Sequence, residues 1–294
     1  MSILITGASG LIGSHLLDEL TAYEDKVYYI SRHELPYRNK NFHHIKLDLT
    51  GLNFVDSLPN DVSYIYHLAQ SNFYQDFPLK AEDVFNVNLN ATHQLLIYGH
   101  EIGISNFIYA SSGGIYNNLD GSIDEESSIK KHSKLGHYLA TKLTSEIFVS
   151  QFSNYFNTQI MRLFFAYGPR QHERMLIPRL INSVNSGRPI KLSGPKGISL
   201  NPIYASDAAK ALLSSLKLEN SNIFNIAGSQ EVSLMELINI IEQKLGLKAK
   251  IIHEGSQDLK LIGDIQKMIS ELHKPEIFLH EGLGNVIEKN YPHT

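Results

Sequence analysis

A short unbroken apolar run, Ile3-Leu4-Ile5, gives way to three glycines spaced three apart, Gly7, Gly10 and Gly13. Leu11, Ile12, Leu16, Leu17 and Leu20 then recur at helical spacing. The pattern predicts a buried strand, a tight turn and a helix. Val27-Tyr28-Tyr29-Ile30 predicts a second strand, a third ends at Lys46-Leu47-Asp48-Leu49, and a fourth covers 62–69. Residues 80–101 read as a helix with Val84, Val87, Leu95 and Leu96 on or near its apolar face. Further buried strands are predicted at 106–110 and 161–165. Ser233-Leu234-Met235-Glu236 reads as a capping box that opens the helix of Leu237, Ile238, Ile241 and Leu245. Strands alternating with helices imply an α/β chain, a parallel sheet covered on both faces.

Each glycine of the first turn has a physical task. Gly7 allows the sharp turn, Gly10 lets backbone approach a ligand, and Gly13 lets the helix sit close to the strand. The turn Gly7-Ala8-Ser9-Gly10-Leu11-Ile12-Gly13 then offers the free N–H groups and positive dipole end of a helix to a pyrophosphate. Dinucleotide sites that prefer NAD place an acidic residue after the second strand, at the ribose 2′-hydroxyl. This chain has Ser31 and Arg32 there, which leaves room for a 2′-phosphate and supplies a bidentate fork to grip it. NADP is therefore the expected cofactor, with NAD as the alternative. Asp48, beside Leu49, is positioned to accept from the adenine amino group, and Leu68-Ala69 lets backbone lie along the cofactor.

Composition narrows the classes. The 294 residues are 43% hydrophobic and 19% charged, as in an ordinary soluble globular protein. A formal net charge of −4 gives no reason to expect nucleic acid or an anionic membrane as partner. There is no cysteine, which excludes disulfides and thiolate chemistry. No apolar run approaches the roughly 20 residues of a membrane span, and no secretory leader is read, so cytoplasm is the expected location. The 14 histidines show no metal-ligand spacing, and no metal is expected.

The strand at 106–110 runs into Ser111-Ser112-Gly113-Gly114-Ile115-Tyr116, at the sheet end where open α/β sheets bind ligands. Farther on, Tyr138 and Lys142 lie four apart on one helix face. An ammonium beside a phenol favours the phenolate, so Tyr138 is expected to move a proton near neutral pH while Ser112 holds the same oxygen.

These motifs together resemble the extended short-chain dehydrogenases/reductases, in their nucleotide-sugar epimerase/dehydratase group. The resemblance takes in the glycine turn, His67-Leu68-Ala69, Asn88 with Thr92, Ser111-Ser112, Tyr138 with Lys142, and Tyr167-Gly168-Pro169-Arg170-Gln171. It continues through Asn201-Pro202-Ile203-Tyr204-Ala205-Ser206-Asp207 and Phe224-Asn225-Ile226-Ala227-Gly228. It implies a Rossmann-type doubly wound parallel sheet, 1–165 with 199–227, and a smaller α+β substrate domain, 166–198 with 228–294. It also implies Ser112, Tyr138 and Lys142 as catalytic residues, with Asn88 and Leu163 added to the cofactor site. Ser111, Tyr116, Phe165, Arg170 and Arg174 are the implied substrate contacts. A homodimer is implied through pairing of the helices at 80–101 and 138–155.

The chain departs from the family at four places. Gly113 and Gly114 stand where dehydratases of the group carry an Asp-Glu pair, which argues against dehydration. Phe165 and Leu200 stand where asparagine and arginine usually touch the substrate's diphosphate or nucleotide, and neither can donate a hydrogen bond. Arg170, Arg174, Arg179 and Arg188 are candidates to replace them. Two enzymatic readings follow: reduction of a 4-keto nucleotide sugar, favoured by Ser31-Arg32, or C4 epimerisation with retained cofactor. A non-catalytic NADP-binding regulator is the remaining alternative.

Overall fold

The computed structural model describes residues 1–117, 121–255 and 259–290. Its strands are β1 (Ser2–Thr6), β2 (Lys26–Ser31), β3 (Phe42–Lys46), β4 (Tyr64–His67), β5 (Asn106–Ser112), β6 (Ser122–Ile123) and β7 (Asn157–Leu163). They continue with β8 (Pro189–Ser193), β9 (Ser199–Leu200), β10 (Asn222–Ile226), β11 (Val232–Ser233), β12 (Lys250–Glu254) and β13 (Lys260–Gly263). The helices are α1 (Leu11–Leu20), α2 (Ala81–Phe85), α3 (Ala91–Ile102), α4 (Gly136–Gln151) and α5 (Leu176–Ser186). After these come α6 (Ala205–Ser214), α7 (Leu234–Leu245), α8 (Gln266–Glu271) and α9 (Leu279–Asn290).

Seven strands form one sheet in the order β10-β7-β5-β4-β1-β2-β3, every pair parallel. Side chains of a strand alternate between faces, and the two cores follow that alternation. Ile3 and Ile5 pack with Leu16, Leu17, Ala208 and Leu212 of α1 and α6 on one face. Leu4 packs with Leu95, Leu96 and Val149 of α3 and α4 on the other. The doubly wound α/β arrangement is therefore built as the pattern implies. Strand order reverses at β1, which pairs with β2 on one side and β4 on the other, opening a crevice at their carboxyl ends.

The C-terminal part packs α5, α7 and α9 around Leu180, Ile181, Leu237, Ile241 and Leu283. Two small sheets accompany it, β12 with β8, and β11-β9-β13-β6. The capping box at α7 is present: Ser233 Oγ accepts from Glu236 N at 3.2 Å, and Ser233 N donates to Glu236 Oε2 at 2.8 Å.

Two expected outlines shift. The third strand stops at Lys46, so Leu47-Asp48-Leu49 lies beyond the sheet's edge as a loop. The helix at 80–101 is interrupted by a π-turn, Asn86–Asn90, between α2 and α3. A π-turn frees carbonyls from the α ladder, and that of Asn88 accepts the hydroxyls of Thr92 at 2.7 Å and Ser145 at 2.9 Å.

A buried ion pair fastens α4 to the sheet. Arg162 of β7 reaches Glu146 through Nε at 3.1 and 3.2 Å and through Nη2 at 2.8 Å. Its Nη1 donates to Tyr116 Oη at 2.5 Å, and Tyr116 donates to Asn225 Oδ1 at 2.9 Å. Ser111 also donates to Glu146. Breaking a buried pair leaves an uncompensated charge, so Arg162→Leu should lower unfolding free energy by about 3–5 kcal/mol. In urea unfolding, the double variant Arg162→Met/Glu146→Leu should regain much of that loss. A single variant as stable as the parent would contradict the pair's role.

Candidate active site

The first turn is built as its glycines require. Gly7 has φ of +70°, and a Cβ on Gly13 would lie 2.2 Å from the Gly7 carbonyl oxygen. Gly10 N donates to Gly7 O at 2.9 Å, and no side chain caps α1 at Gly10. The first N–H groups of α1 therefore have no intrahelical acceptor, and Gly10-Leu11-Ile12-Gly13 lines a cavity of about 660 Å³. This fits a pyrophosphate, because helix N–H groups and dipole face the space where its charge would sit.

Around that cavity the fold gathers almost every residue singled out above. Gly7, Ser9, Ser31, Arg32, Asp48, Leu49, Leu68, Ala69 and Leu163, expected to hold the dinucleotide, all line it. Ser111, Ser112, Tyr138, Lys142, Phe165, Arg170 and Arg174 line it as well. Ser31 is buried, its hydroxyl donating to the His33 carbonyl and lying 3.0 Å from His44 Nε2. Arg32 is exposed at the rim. Asp48 Oδ1 accepts from Thr50 N at 3.0 Å and from Thr50 Oγ1 at 2.9 Å.

Two expected residues lie elsewhere. Asn88 is buried away from the cavity: its Oδ1 accepts from Ser71 N at 2.9 Å and its Nδ2 donates to Thr141 Oγ1 at 3.1 Å. It thus braces the loop after β4 against α4. Tyr116 is fully buried, held by Arg162 and Asn225, and does not line the cavity. The four arginines divide. Arg170 and Arg174 line the cavity, and each also pairs with a carboxylate, Arg170 with Asp18 of α1 and Arg174 with Asp76 at 3.3 Å. Arg179 and Arg188 are exposed and outside the lining, and Leu200 is buried in the C-terminal core.

At the reactive end, Lys142 is buried and donates to the Ala110 carbonyl at 2.7 Å. Burial lowers its pKa to about 8, against the opposing charge of Glu146. Tyr138, one turn earlier, donates to Gln70 Oε1 at 3.1 Å. Burial raises its pKa above the ordinary value, Tyr74 adds to the rise, and a hydrogen bond with Ser112 opposes it. The lowering expected from Lys142 is not found: its ammonium is turned to the Ala110 carbonyl, and desolvation of the phenol dominates. His67 bridges Thr6 Oγ1 at 2.7 Å and Thr92 Oγ1 at 2.9 Å. Burial, then the Lys142 charge, lowers its pKa to about 3, so it is a neutral strut.

Sequence reading missed Gln70, Tyr74 and Met175. Tyr74 sets its ring 4.9 Å from that of Tyr138 and donates to Met175 Sδ at 3.0 Å. Gln70 was open to detection, since it stands three residues past the end of β4, at the carboxyl ends of the strands where the crevice lies. At Gly113 there is no room for a side chain: a Cβ would lie 2.4 Å from the Phe164 ring.

A turn, a crevice and a Ser-Tyr-Lys cluster in this order match a known family model. Residues 3–227 fit the NAD dependent epimerase/dehydratase family. The chain belongs to that family. It is an enzyme of the extended short-chain dehydrogenase/reductase type. It is 31% identical over 320 residues to the uncharacterized UDP-glucose epimerase YtcB of Bacillus subtilis, covering 98% of this chain and 97% of the relative. MoeE5 solved with UDP-glucuronic acid and NAD superposes with a TM-score of 0.86 at 28% identity, covering 99% of both chains. UDP-glucuronic acid 4-epimerase from Bacillus cereus, solved with the same two ligands, gives 0.87 at 25% identity and covers 98% of both chains. Among the described residues no helix is long and apolar enough to cross a membrane.

Proposed function

We propose that this enzyme interconverts C4 epimers of a nucleotide sugar, with UDP-glucose as the first substrate to test. The observation that carries the reading is the meeting of Ser112, Tyr138 and Lys142 in one cavity with the glycine turn. The 4-epimerase neighbours favour it over 4-keto reduction. We assign the dinucleotide to the part formed by 1–165 and 199–227, and the sugar to 166–198 and 228–294.

A bound nicotinamide dinucleotide supplies reversible hydride transfer at the sugar carbon. The chain's own residues handle the proton. Tyr138 Oη takes it from the C4 hydroxyl and returns it to the same oxygen, while Ser112 Oγ orients that oxygen. Lys142 holds the ribose next to the nicotinamide. Gly113 and Gly114 offer no acid or base, so water is not eliminated. Proton transfer by a placed side chain is worth about 10²–10⁴ in rate, and Tyr138→Phe should slow conversion of UDP-glucose to UDP-galactose by that factor. Its dinucleotide affinity and melting temperature should stay near the parent's. A fully active Tyr138→Phe protein would remove the mechanism.

Reduction of a 4-keto sugar is the second reading, favoured by the absence of a carboxylate at Ser31 and by Arg32 at the rim. Both hydrogen-bonding partners of Ser31 are internal, and Arg32 is exposed beside it at the cavity's rim. A charge-assisted bond to a phosphate is worth roughly 1.5–3 kcal/mol. Arg32→Ala should therefore weaken NADP binding by that amount while sparing NAD, as read by calorimetry. Equal losses for both would eliminate NADP preference.

We also propose a homodimer through the outer faces of α2, α3 and α4. Phe85, Ile97 and Ile147 stay exposed there, although Val149 and Phe156 of the same stretch are buried in the core. Two copies facing each other with this patch would form an isologous contact. Light scattering should report twice the chain mass at micromolar concentration, and a monomer would refute it.

A further inference from the structure

Ser112 ends β5, and the short turn that follows it, Gly113–Ile115, is gripped by a lysine that does not line the cavity. Gly114 N donates to Ser112 Oγ at 3.2 Å. Lys130 holds the turn through two carbonyls: its Nζ donates to Gly114 O at 2.7 Å, and its backbone N donates to Ile115 O at 2.9 Å. The Lys130 side chain is half-buried, and burial lowers its pKa. Two glycines in succession give a turn unusual conformational freedom. Packing limits it from both sides, since a Cβ would lie 2.4 Å from the Phe164 ring at Gly113 and 3.1 Å from Leu139 at Gly114. The ammonium on Gly114 O takes away what freedom is left.

We propose that Lys130 is a positioning residue for the proton transfer, fixing the turn so that Ser112 offers its hydroxyl hydrogen to the reacting oxygen. This deepens the reading of Ser112 as the group that orients the C4 oxygen, and it rests on that reading. The sense of each bond follows from the atoms. An ammonium and a backbone N–H only donate, and a carbonyl only accepts, so neither the Lys130–Gly114 bond nor the Gly114–Ser112 bond can be reversed. A serine oxygen has one hydrogen and two lone pairs. The Gly114 amide occupies a lone pair, and the hydrogen is left for the crevice. There its bond with Tyr138 favours the phenolate, the form that takes the C4 proton. With a sugar in place the same hydrogen reaches the C4 oxygen. Without the Lys130 ammonium, Gly114 O must turn to water, and the Gly114 N–H moves off Ser112 with it. Tyr138 and Lys142 stand on α4 and keep their places.

A double-mutant cycle on the full-length holoenzyme tests this. Lys130→Met keeps most of the stem and removes the ammonium. It should lower kcat on UDP-glucose by about tenfold, inside the ~10²-fold that a misplacement of about 1 Å can cost. KM, dinucleotide affinity and melting temperature should stay near the parent's. Lys130→Arg again supplies a cationic donor and should recover most of the loss. On a Ser112→Ala background, Lys130→Met should leave kcat nearly unchanged, because the hydroxyl it aligns is gone. Full activity in Lys130→Met, or the same drop with and without the Ser112 hydroxyl, would overturn the proposal. Amide hydrogen exchange without substrate reads the hold on the turn separately. The peptide covering 112–116 should exchange several-fold faster in Lys130→Met than in the parent and in Lys130→Arg, and equal exchange in all three would also overturn it. The two readings thus fail apart. A parent inactive on UDP-glucose removes that substrate and leaves exchange to decide, while a Ser112→Ala defect beside a fully active Lys130→Met removes only Lys130.

Discussion

Where β1 and β4 end side by side, two stretches of backbone approach closer than any side chain would allow. A Cβ on Gly7 would lie 2.6 Å from the Ala69 nitrogen and 2.7 Å from the Leu68 carbonyl carbon. The strand reversal, the entry of α1 and the course of the loop after β4 all rest on this contact. Because the turn hugs β4, α1 starts at the floor of the crevice and presents its N–H groups there. Because β4 is held against it, Gln70 emerges beside the reactive tyrosine.

The opposite wall depends on charge and not on close backbone. Tyr138, Lys142 and Glu146 form a stripe on α4, each one turn from the next, and the stripe is anchored at its far end by Arg162. Glu146 serves two neighbours: it satisfies the guanidinium, and its charge opposes the lowering of the Lys142 pKa by burial. The strand register places Ser112 beside Leu163 and Ser111 beside Arg162, so alternate side chains of β5 face different tasks. Ser112 faces the crevice, and Ser111, although it borders the cavity, gives its hydroxyl to the ion pair.

The sequence carried the parts that follow from local backbone chemistry. Glycine spacing announced the turn, alternation announced the two-faced sheet, and helical spacing put Tyr138 and Lys142 on one side of α4. It did not carry direction after an irregular turn. Tyr116 follows the short 3₁₀ turn Gly113–Ile115, which turns it inward, and Asn88 sits in a π-turn whose geometry aims it at a loop. Nor did it carry the burial that raises the Tyr138 pKa, since that depends on how much water the folded site excludes. The Gln70–Tyr138 contact spans 68 residues, and no local spacing encodes it.

The π-turn at Asn86–Asn90 spends one residue more than an α-helical turn would need. Taking one residue out of it would restore plain α-helix, and α3 would keep Leu95 and Leu96 on the sheet. What would vanish without Asn88 is the amide that holds Ser71 and Thr141 and the carbonyl that receives Ser145. The surplus residue therefore serves the neighbours of the helix and not the helix itself: it is a bracket between the loop after β4 and α4.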